Sequence, residues 1–264
     1  KDEIIPSLQQ AFPITNKIEV SRLQTFGMGE STLQALINDK LPDWPDEIAI
    51  GFRAAMPLLE VKLTTQCSKG KVLLTQWQEK LSYLLGDHIL STGKSDKITL
   101  ADHLVPLLIK SEKRITVAES CTGGLIASQI TAVSGASAVF EAGFITYSND
   151  MKHKMLDVTN ETLANHGAVS QETVLAMAQG ALEKSNADYV IAVSGIAGPN
   201  GGTKDKPVGS VWIAWGNNQA LHAKYYCIPL ARQLFQQVVT ARGLDLIRRM
   251  LINSKACPNY DRKG

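Results

Sequence analysis

The 264-residue sequence lacks several features that would assign it to a specialised class of protein. No apolar run approaches the length of a transmembrane helix, and no signal peptide is visible. The four cysteines are widely spaced and form no CxxC pair, which argues for a reducing compartment and against disulfides or a structural zinc site. We therefore expect a cytoplasmic protein with no membrane partner.

Excess charge is also small. The formal net charge is +2, which by itself does not indicate a nucleic-acid-binding protein, and the 44% hydrophobic content is that of an ordinary globular chain. No group of His, Cys and carboxylate residues has the spacing of metal ligands, so we predict no metal and no cofactor. The stretch Ser91 to Lys97 lacks the first glycine of a phosphate-binding P-loop.

Composition and periodicity divide the chain into two domains. We expect a linker over residues 1–13, a small α+β domain over 14–93, an α/β domain over 97–255 and a polar tail over 256–264. The chain begins at Lys1 rather than Met, so we treat it as a possible fragment with something missing upstream.

Helices and strands alternate through the second domain, which predicts a three-layer α/β/α architecture. Val208 to Trp215 and Leu221 to Ile228 have the pattern of a β-hairpin, and the hairpin would make the sheet mixed. Thr99 is a predicted N-cap, and Pro106 within the following helical pattern predicts a kink or a shorter helix.

Ile115 to Gly124, read as ITVAESCTGG, predicts a buried strand that ends in a glycine turn and leads into a helix at Leu125. Polar side chains at the carboxyl end of a strand, facing a helix N-terminus, are typical of an anion site. The alternative is an ordinary strand–helix connection with Thr122 as the N-cap.

A second glycine-rich stretch, Ser194 to Gly202, follows another apolar strand. Turns at the ends of adjacent strands in an open sheet form a crevice, and Gly195, Gly198, Gly201 and Gly202 would let backbone N–H groups approach a ligand. The alternative is a flexible loop without a ligand.

Serine hydroxyls are concentrated around these turns, at Ser120, Ser134, Ser137, Ser148 and Ser194. A serine attacks a substrate only when a base takes its proton, and none of the five histidines has an obvious triad context. A Ser/Lys pair is an alternative, and it needs a lysine held neutral by burial or by nearby positive charge. Lys152 follows the predicted strand closely enough to reach the crevice, and the other interpretation is a merely solvated lysine.

Four motifs together resemble the CinA C-terminal domain family, whose characterised members are nicotinamide mononucleotide deamidases, also called PncC. They are VAESCTGG, FITYSNDMK, HGAVSQE and SGIAGPNGGTKDKPVGSV, at Val117 to Gly124, Phe144 to Lys152, His166 to Glu172 and Ser194 to Val211. The preceding domain, with TFGMGES at Thr25 to Ser31, is similar to the KH-like middle segment of CinA proteins, which carry a further N-terminal nucleotide-pyrophosphatase domain.

The resemblance implies hydrolysis of the carboxamide of nicotinamide mononucleotide to nicotinate mononucleotide and ammonia by a Ser/Lys mechanism. Residue by residue it implies Ser137 as nucleophile and Lys152 as general base, with Ser120 and Tyr147 as proton relay or orienting groups. The serine that attacks is left open between Ser137 and Ser120. We further expect a homodimer that binds this mononucleotide, with no nucleic-acid partner.

Substrate-binding roles complete this expectation. Glu119 would face the cationic pyridinium, and the phosphate would bind at Thr122 and Gly123 or at the glycine loop with Ser194, Gly195 and Gly198. Many family members open the last helix with a GDRxxxR pattern. Here the first arginine is Arg232 and the second is replaced by Gln236, which would change substrate affinity or assembly if the pair has either role.

Two other classes of function compete with the enzyme. The chain could be a non-catalytic module in which the KH-like segment contacts RNA and the C-terminal domain senses a pyridine nucleotide. Against this, FGMGES has the wrong spacing for a GXXG clamp. Alternatively, the first domain could be an assembly domain that supplies a dimer interface.

Overall fold

The computed structural model describes residues 18–67, 69–93, 98–255 and 257–261. The predicted linker 1–13 lies outside the described residues. Two compact units divide the chain: unit 1 comprises Lys1–Asp96 with Ala256–Gly264, and unit 2 comprises Lys97–Lys255. Within the described ranges, the helices are too short or too polar to cross a membrane.

Unit 1 is an antiparallel sheet covered by two helices. Its strands are β1 (Glu19–Thr25), β2 (Ala49–Ala55), β3 (Leu58–Thr65) and β4 (Ile89–Thr92), and its helices are α1 (Glu30–Lys40) and α2 (Gly70–Leu85). The strand order is β2-β3-β1-β4. Alternation along β3 places Leu59, Val61 and Leu63 in a core that α2 completes with Trp77 and Leu81.

The carboxyl-terminal segment belongs to unit 1. Its described part includes a short 3-10 helix, Asn259–Asp261, and the ring of Tyr260 lies 5.5 Å from that of Phe26. Gly27 permits this contact, because a Cβ atom there would lie 2.9 Å from Pro258. The polar segment that we predicted as a tail is therefore packed in its described part.

Unit 2 is built on a five-stranded mixed sheet. Its strands are β5 (Ile115–Glu119), β6 (Phe140–Ile145), β7 (Tyr189–Gly195), β8 (Ser210–Asn217) and β9 (Ala220–Cys227), in the order β6-β5-β7-β8-β9. Strand β5 runs parallel to both β6 and β7, and the β8–β9 hairpin is antiparallel. The carboxyl ends of β5, β6 and β7 therefore meet at one edge.

Within residues 98–255, six α-helices cover the two faces of this sheet. They are α3 (Leu100–Lys110), α4 (Leu125–Thr131), α5 (Asn149–Leu156), α6 (Asn160–His166), α7 (Gln171–Ser185) and α8 (Arg232–Leu251). Helices α3, α4 and α8 pack together on one face, and α5 and α6 pack on α7 over the other. This arrangement confirms the predicted three-layer α/β/α domain with a mixed sheet, preceded by a small α+β domain.

Two details of this domain bear on the sequence predictions. Thr99 caps α3 and forms a capping box with Asp102, and α3 continues through Pro106 to Lys110, so the helix is not shortened there. Helix α8 approaches β7 so closely that a Cβ atom on Gly243 would lie 2.8 Å from Ile191. The amino end of α8 lies at the carboxyl ends of the strands, where Arg232 donates to Gly198 and Tyr147.

Candidate active site

The turn after β5 places Ser120 and Cys121 at the carboxyl edge of the sheet. The N–H of Ser120 donates to the carbonyl of Val193 at 3.1 Å, which ties this turn to β7. Ser120 is 8% exposed and Cys121 is 4% exposed. Burial raises the pKa of the Cys121 thiol to about 12, so the thiol stays protonated at neutral pH and is a poor nucleophile.

Glu119 does not face a ligand, contrary to our expectation. Its side chain is fully buried, and its two oxygens accept hydrogen bonds from the Thr122 hydroxyl and from the N–H groups of Gly124, Ile126 and Ala127. The carboxylate therefore serves as the internal anion at the start of α4. We correct both predictions: Glu119 is not a wall for a pyridinium ring, and the first turn of α4 at Thr122 and Gly123 is already occupied.

Lys152 reaches the same edge from α5. The hydroxyl of Ser148 caps this helix by accepting from the N–H of Met151 at 3.2 Å. One turn into the helix, Lys152 is only 1% exposed, and its Nζ lies 3.1 Å from the Oγ of Ser120. Nζ also donates to the carbonyl of Thr146 at 2.9 Å. An amine and an alcohol thus meet in a buried site.

Burial lowers the pKa of Lys152 below its ordinary value of 10.5. Removal from water disfavours the ammonium form, and a charge on Cys121 would act weakly in the opposite direction. None of the carboxylates in the described ranges forms an ion pair with this amine. A neutral amine at hydrogen-bond distance from a hydroxyl can act as its general base.

Ser137 lies elsewhere. It is an exposed residue of the 3-10 turn Ala136–Ala138, which precedes the amino end of β6. Lys152 contacts Thr146, at the carboxyl end of the same strand. Six residues of strand separate the two ends, which corresponds to about 20 Å at ~3.3 Å per residue. Within one chain the Ser137 hydroxyl is thus far from Lys152, so the structure does not bring together the Ser137–Lys152 pair that we expected, and the hydroxyl beside the amine is that of Ser120.

A cavity of about 220 Å³ opens at Ser120 and Lys152. Its walls come from the ends of β5, β6 and β7, from the segment before α7 and from the start of α8. The lining residues are Ser120, Cys121, Tyr147, Asn149, Lys152, Ala168, Val169, Ser194, Gly195, Ala197 and Arg232. No Asp or Glu is among them, so Lys152 and Arg232 are its ionisable basic groups.

Arg232 stands at the mouth of this cavity as the first residue of α8. It donates to the Tyr147 hydroxyl at 2.9 Å and to the Gly198 carbonyl at 3.0 Å. Tyr147 is 61% exposed and lies beside the opening. In the part of the chain that the structure describes, no carboxylate pairs with Arg232, so its positive charge remains available to an anionic group.

The second glycine-rich turn contributes one wall and fewer free polar groups than predicted. The Ser194 hydroxyl donates to the carbonyl of Ala168 at 2.6 Å, so it fixes the segment before α7. Gly195 is needed for packing, because a Cβ atom there would lie 2.7 Å from the Ser210 carbonyl oxygen. Gly198 has a φ of +73° and touches the site through Arg232 rather than as a lining residue.

Residues 97–251 match the CinA C-terminal domain family. This chain is also 51% identical over 258 residues to a CinA-like protein of Colwellia psychrerythraea and 39% identical over 264 residues to one of Shewanella piezotolerans, each alignment covering 98% of the chain. The chain belongs to the CinA family. It spans about 60% of the length of these two relatives.

Solved structures of CinA-family proteins resemble this chain over a little more than half its length. The competence damage-inducible protein A of Klebsiella pneumoniae is 36% identical with a TM-score of 0.56, covering 58% of this chain and 95% of its own. The competence/damage-inducible protein CihA of Agrobacterium tumefaciens is 38% identical with a TM-score of 0.55, covering 60% of this chain and 99% of its own. These comparisons establish CinA membership and fold.

Two side chains at or beside the cavity, Asn149 and Gln236, were not predicted as site residues from the sequence. Asn149 lines the cavity, and its amide forms no hydrogen bond within the described ranges. Its place directly after Tyr147 and Ser148 in the FITYSNDMK motif was the available signal. Gln236, noted in the sequence only as the replacement of an arginine, donates to the carbonyl of Cys121 at 2.8 Å.

In the described ranges, no group of three or more His, Cys, Asp or Glu residues is placed so that it could hold a metal ion.

Proposed function

We propose that this CinA-family chain is an amide hydrolase in which Ser120 is the nucleophile and Lys152 is the general base. The observation that carries the proposal is the buried Lys152 amine, with a lowered pKa, 3.1 Å from the Ser120 hydroxyl at a cavity. A buried lysine without a carboxylate partner is costly to retain, and such groups concentrate at functional sites.

In the first half of the reaction, Ser120 Oγ attacks the carboxamide carbon while Lys152 Nζ takes the hydroxyl proton. The carbonyl oxygen becomes an oxyanion in the tetrahedral intermediate. Lys152 then delivers the proton to the leaving nitrogen, which departs as ammonia and leaves an ester on Ser120. The Thr146 carbonyl holds Nζ in place through this exchange.

In the second half, a water molecule enters where ammonia left. Lys152 takes a proton from this water, which attacks the ester carbon. Collapse of the second intermediate returns the proton from Lys152 to Ser120 Oγ and releases the carboxylic acid, which loses its remaining proton to water. One amine thus acts as base and acid in turn, which requires that it be neutral at the start of each half.

We propose nicotinamide mononucleotide as the substrate, following the family resemblance. The cavity of about 220 Å³ is smaller than the ~300–1,000 Å³ of sites that enclose a drug-sized ligand, so it would take the ring and leave the ribose phosphate outside. Arg232 at the mouth is suited to the phosphate. The Tyr147 ring beside the opening, rather than an acidic wall, is suited to the pyridinium.

The proposal is tested by incubating the purified chain with nicotinamide mononucleotide and measuring ammonia. We expect release by the unaltered chain and a loss of about 1,000-fold or more in Ser120→Ala and in Lys152→Met, because each removes half of the dyad. Ser137→Ala is the competing variant and should keep its activity, since Ser137 lies at the other end of β6.

Activity that survives Ser120→Ala and disappears in Ser137→Ala would restore the nucleophile that the sequence predicted. An unaltered chain that binds the mononucleotide without releasing ammonia would instead favour the sensing module. Nicotinamide riboside, which lacks the phosphate, separates the role of Arg232 from the chemistry: Arg232→Ala should weaken binding of the mononucleotide but not of the riboside.

A further inference from the structure

The turn after Ser120 contains two backbone N–H groups that donate to no oxygen of the described residues. They belong to Cys121 and Thr122, which are nearly buried, at 4% and 3% exposure. The neighbouring groups are engaged: Ser120 donates to Val193, and Gly123 donates to Ser120. Buried N–H groups without acceptors are rare, so this pair requires an explanation.

The directions of these two N–H groups are set by the carbonyls of the same peptides. In a trans peptide the C=O and the N–H point in opposite directions. The Ser120 carbonyl accepts from the N–H of Gly123 at 3.2 Å, and the Cys121 carbonyl accepts from Nε2 of Gln236 at 2.8 Å. The carbonyls of Ser120 and Cys121 are therefore fixed by these hydrogen bonds, and the N–H groups of Cys121 and Thr122 point away from Gly123 and Gln236 respectively.

Gln236 comes from α8, far along the chain from this turn. It lies one helical turn after Arg232, on the same side of the helix, and Arg232 holds Tyr147 and Gly198. The first two turns of α8 thus contact the segments that follow β5, β6 and β7. Of these contacts, only the one from Gln236 acts on the peptide adjoining the nucleophile turn.

We propose that Gln236 is a positioning residue for catalysis, holding the Cys121–Thr122 peptide so that the free N–H groups after Ser120 receive the oxyanion. This inference rests on the proposed amide hydrolysis and deepens it. N–H groups directly after a nucleophilic serine are the usual donors to a developing oxyanion. A neutral amide provides the required donor without adding a second charge beside the turn.

The test compares Gln236→Met with Gln237→Met. Methionine has a similar length to glutamine and no N–H donor, and the adjacent Gln237 forms no side-chain hydrogen bond in the described ranges, so it is the matched control. We expect Gln236→Met to lower kcat on the order of 10-fold with little change in KM, because a displaced donor acts on the transition state. Gln237→Met should retain the unaltered kcat, and Gln236→Arg, which restores a donor, should recover part of the loss.

Amide hydrogen exchange gives a readout that does not depend on turnover. Exchange in a peptide covering residues 119–125 should accelerate in Gln236→Met and not in Gln237→Met. An equal loss of kcat in both variants, or an unchanged kcat in Gln236→Met, would overturn the inference while the unaltered chain still released ammonia.

If the unaltered chain released no ammonia, the proposed function would fail. Unchanged hydrogen exchange in Gln236→Met would show separately that the Gln236 contact does not hold the turn. If Gln236→Met fails to fold, Gln236→Arg decides. Because arginine keeps an N–H donor, the inference predicts a kcat well above that of Ser120→Ala, and a kcat as low as that of Ser120→Ala would overturn it.

Discussion

At the scale of single residues, the decisive feature is a lysine whose side chain is almost wholly removed from water. Among the described residues, the Lys152 amine has two hydrogen-bond partners, the Thr146 carbonyl and the Ser120 hydroxyl, and neither carries a charge. An ammonium group in that setting would lose its hydration without gaining a counter-charge, so burial favours the neutral amine. The same environment lowers the pKa of Lys152 below its ordinary value of 10.5, in the direction that the proposed base role requires.

This environment predicts the pH dependence of the reaction. Because Lys152 must be neutral to take the Ser120 proton, kcat/KM should rise with pH as the amine loses its proton, with the midpoint of the rise below the ordinary 10.5 of lysine. The measurement is kcat/KM for ammonia release across the pH range in which the chain stays folded. A rise centred at or above 10.5 would contradict the dyad, and one centred near ~6.5 would indicate a histidine instead.

At the scale of structural elements, the Glu119 carboxylate at the end of β5 accepts hydrogen bonds from the start of α4. A buried carboxylate that accepts from one hydroxyl and three N–H groups compensates for the unpaired donors of a short helix. The helix N-terminus that the sequence offered as a phosphate site is thereby satisfied within the protein. An external phosphate would have to displace Glu119, which is why the proposed function assigns the substrate phosphate to Arg232.

Glu119→Ala should therefore destabilise unit 2 strongly. Removing the carboxylate leaves several buried donors without an acceptor, at a cost of about 3 kcal/mol or more in the free energy of unfolding. The matched control is Glu141→Ala, since Glu141 forms a partly exposed ion pair with Arg114 and its loss should cost no more than ~1 kcal/mol. Urea denaturation followed by circular dichroism measures both, and similar costs for the two variants would refute the capping role.

At the scale of the whole molecule, every residue that lines the cavity belongs to unit 2. The family match covers residues 97–251. The alignment with the solved Klebsiella pneumoniae chain covers 95% of that chain and 58% of this one. Unit 1 has a separate core, formed by its own sheet and helices and closed in part by Tyr260 on Phe26.

A fragment of residues 97–255 should therefore fold and keep the kcat and KM of the full chain for nicotinamide mononucleotide. Ammonia release by the fragment, compared with that of the full chain at equal concentration, is the measurement. The complementary fragment lacks all cavity residues and should release none. A folded fragment 97–255 without activity would show that the site needs unit 1.

The class of architecture and the family could be predicted from the sequence. Helical and strand periods, glycine turns after apolar strands and the four motifs are local patterns, and local patterns are sufficient for these conclusions. They also marked Ser120, Tyr147, Lys152 and Arg232, which the structure brings to one cavity. The exposed Asn149 could not be predicted as a cavity residue from the sequence, because an asparagine between a strand and a helix is equally typical of a helix N-cap.

The packed fold was needed to show which serine hydroxyl lies beside the Lys152 amine and which groups the Glu119 carboxylate contacts. Ser137 is nearer to Lys152 in sequence than Ser120 is, yet it lies before β6 while Lys152 lies after it. Parallel pairing of β5 with β6 and β7 brings Ser120 to the carboxyl edge instead. Glu119 likewise reads as a free carboxylate until the N–H groups of α4 fold against it. The end of a strand at which a residue lies relative to its neighbours, and the acceptor that each buried N–H finds, depend on the packed chain. The spacing of residues along the sequence does not predict either one.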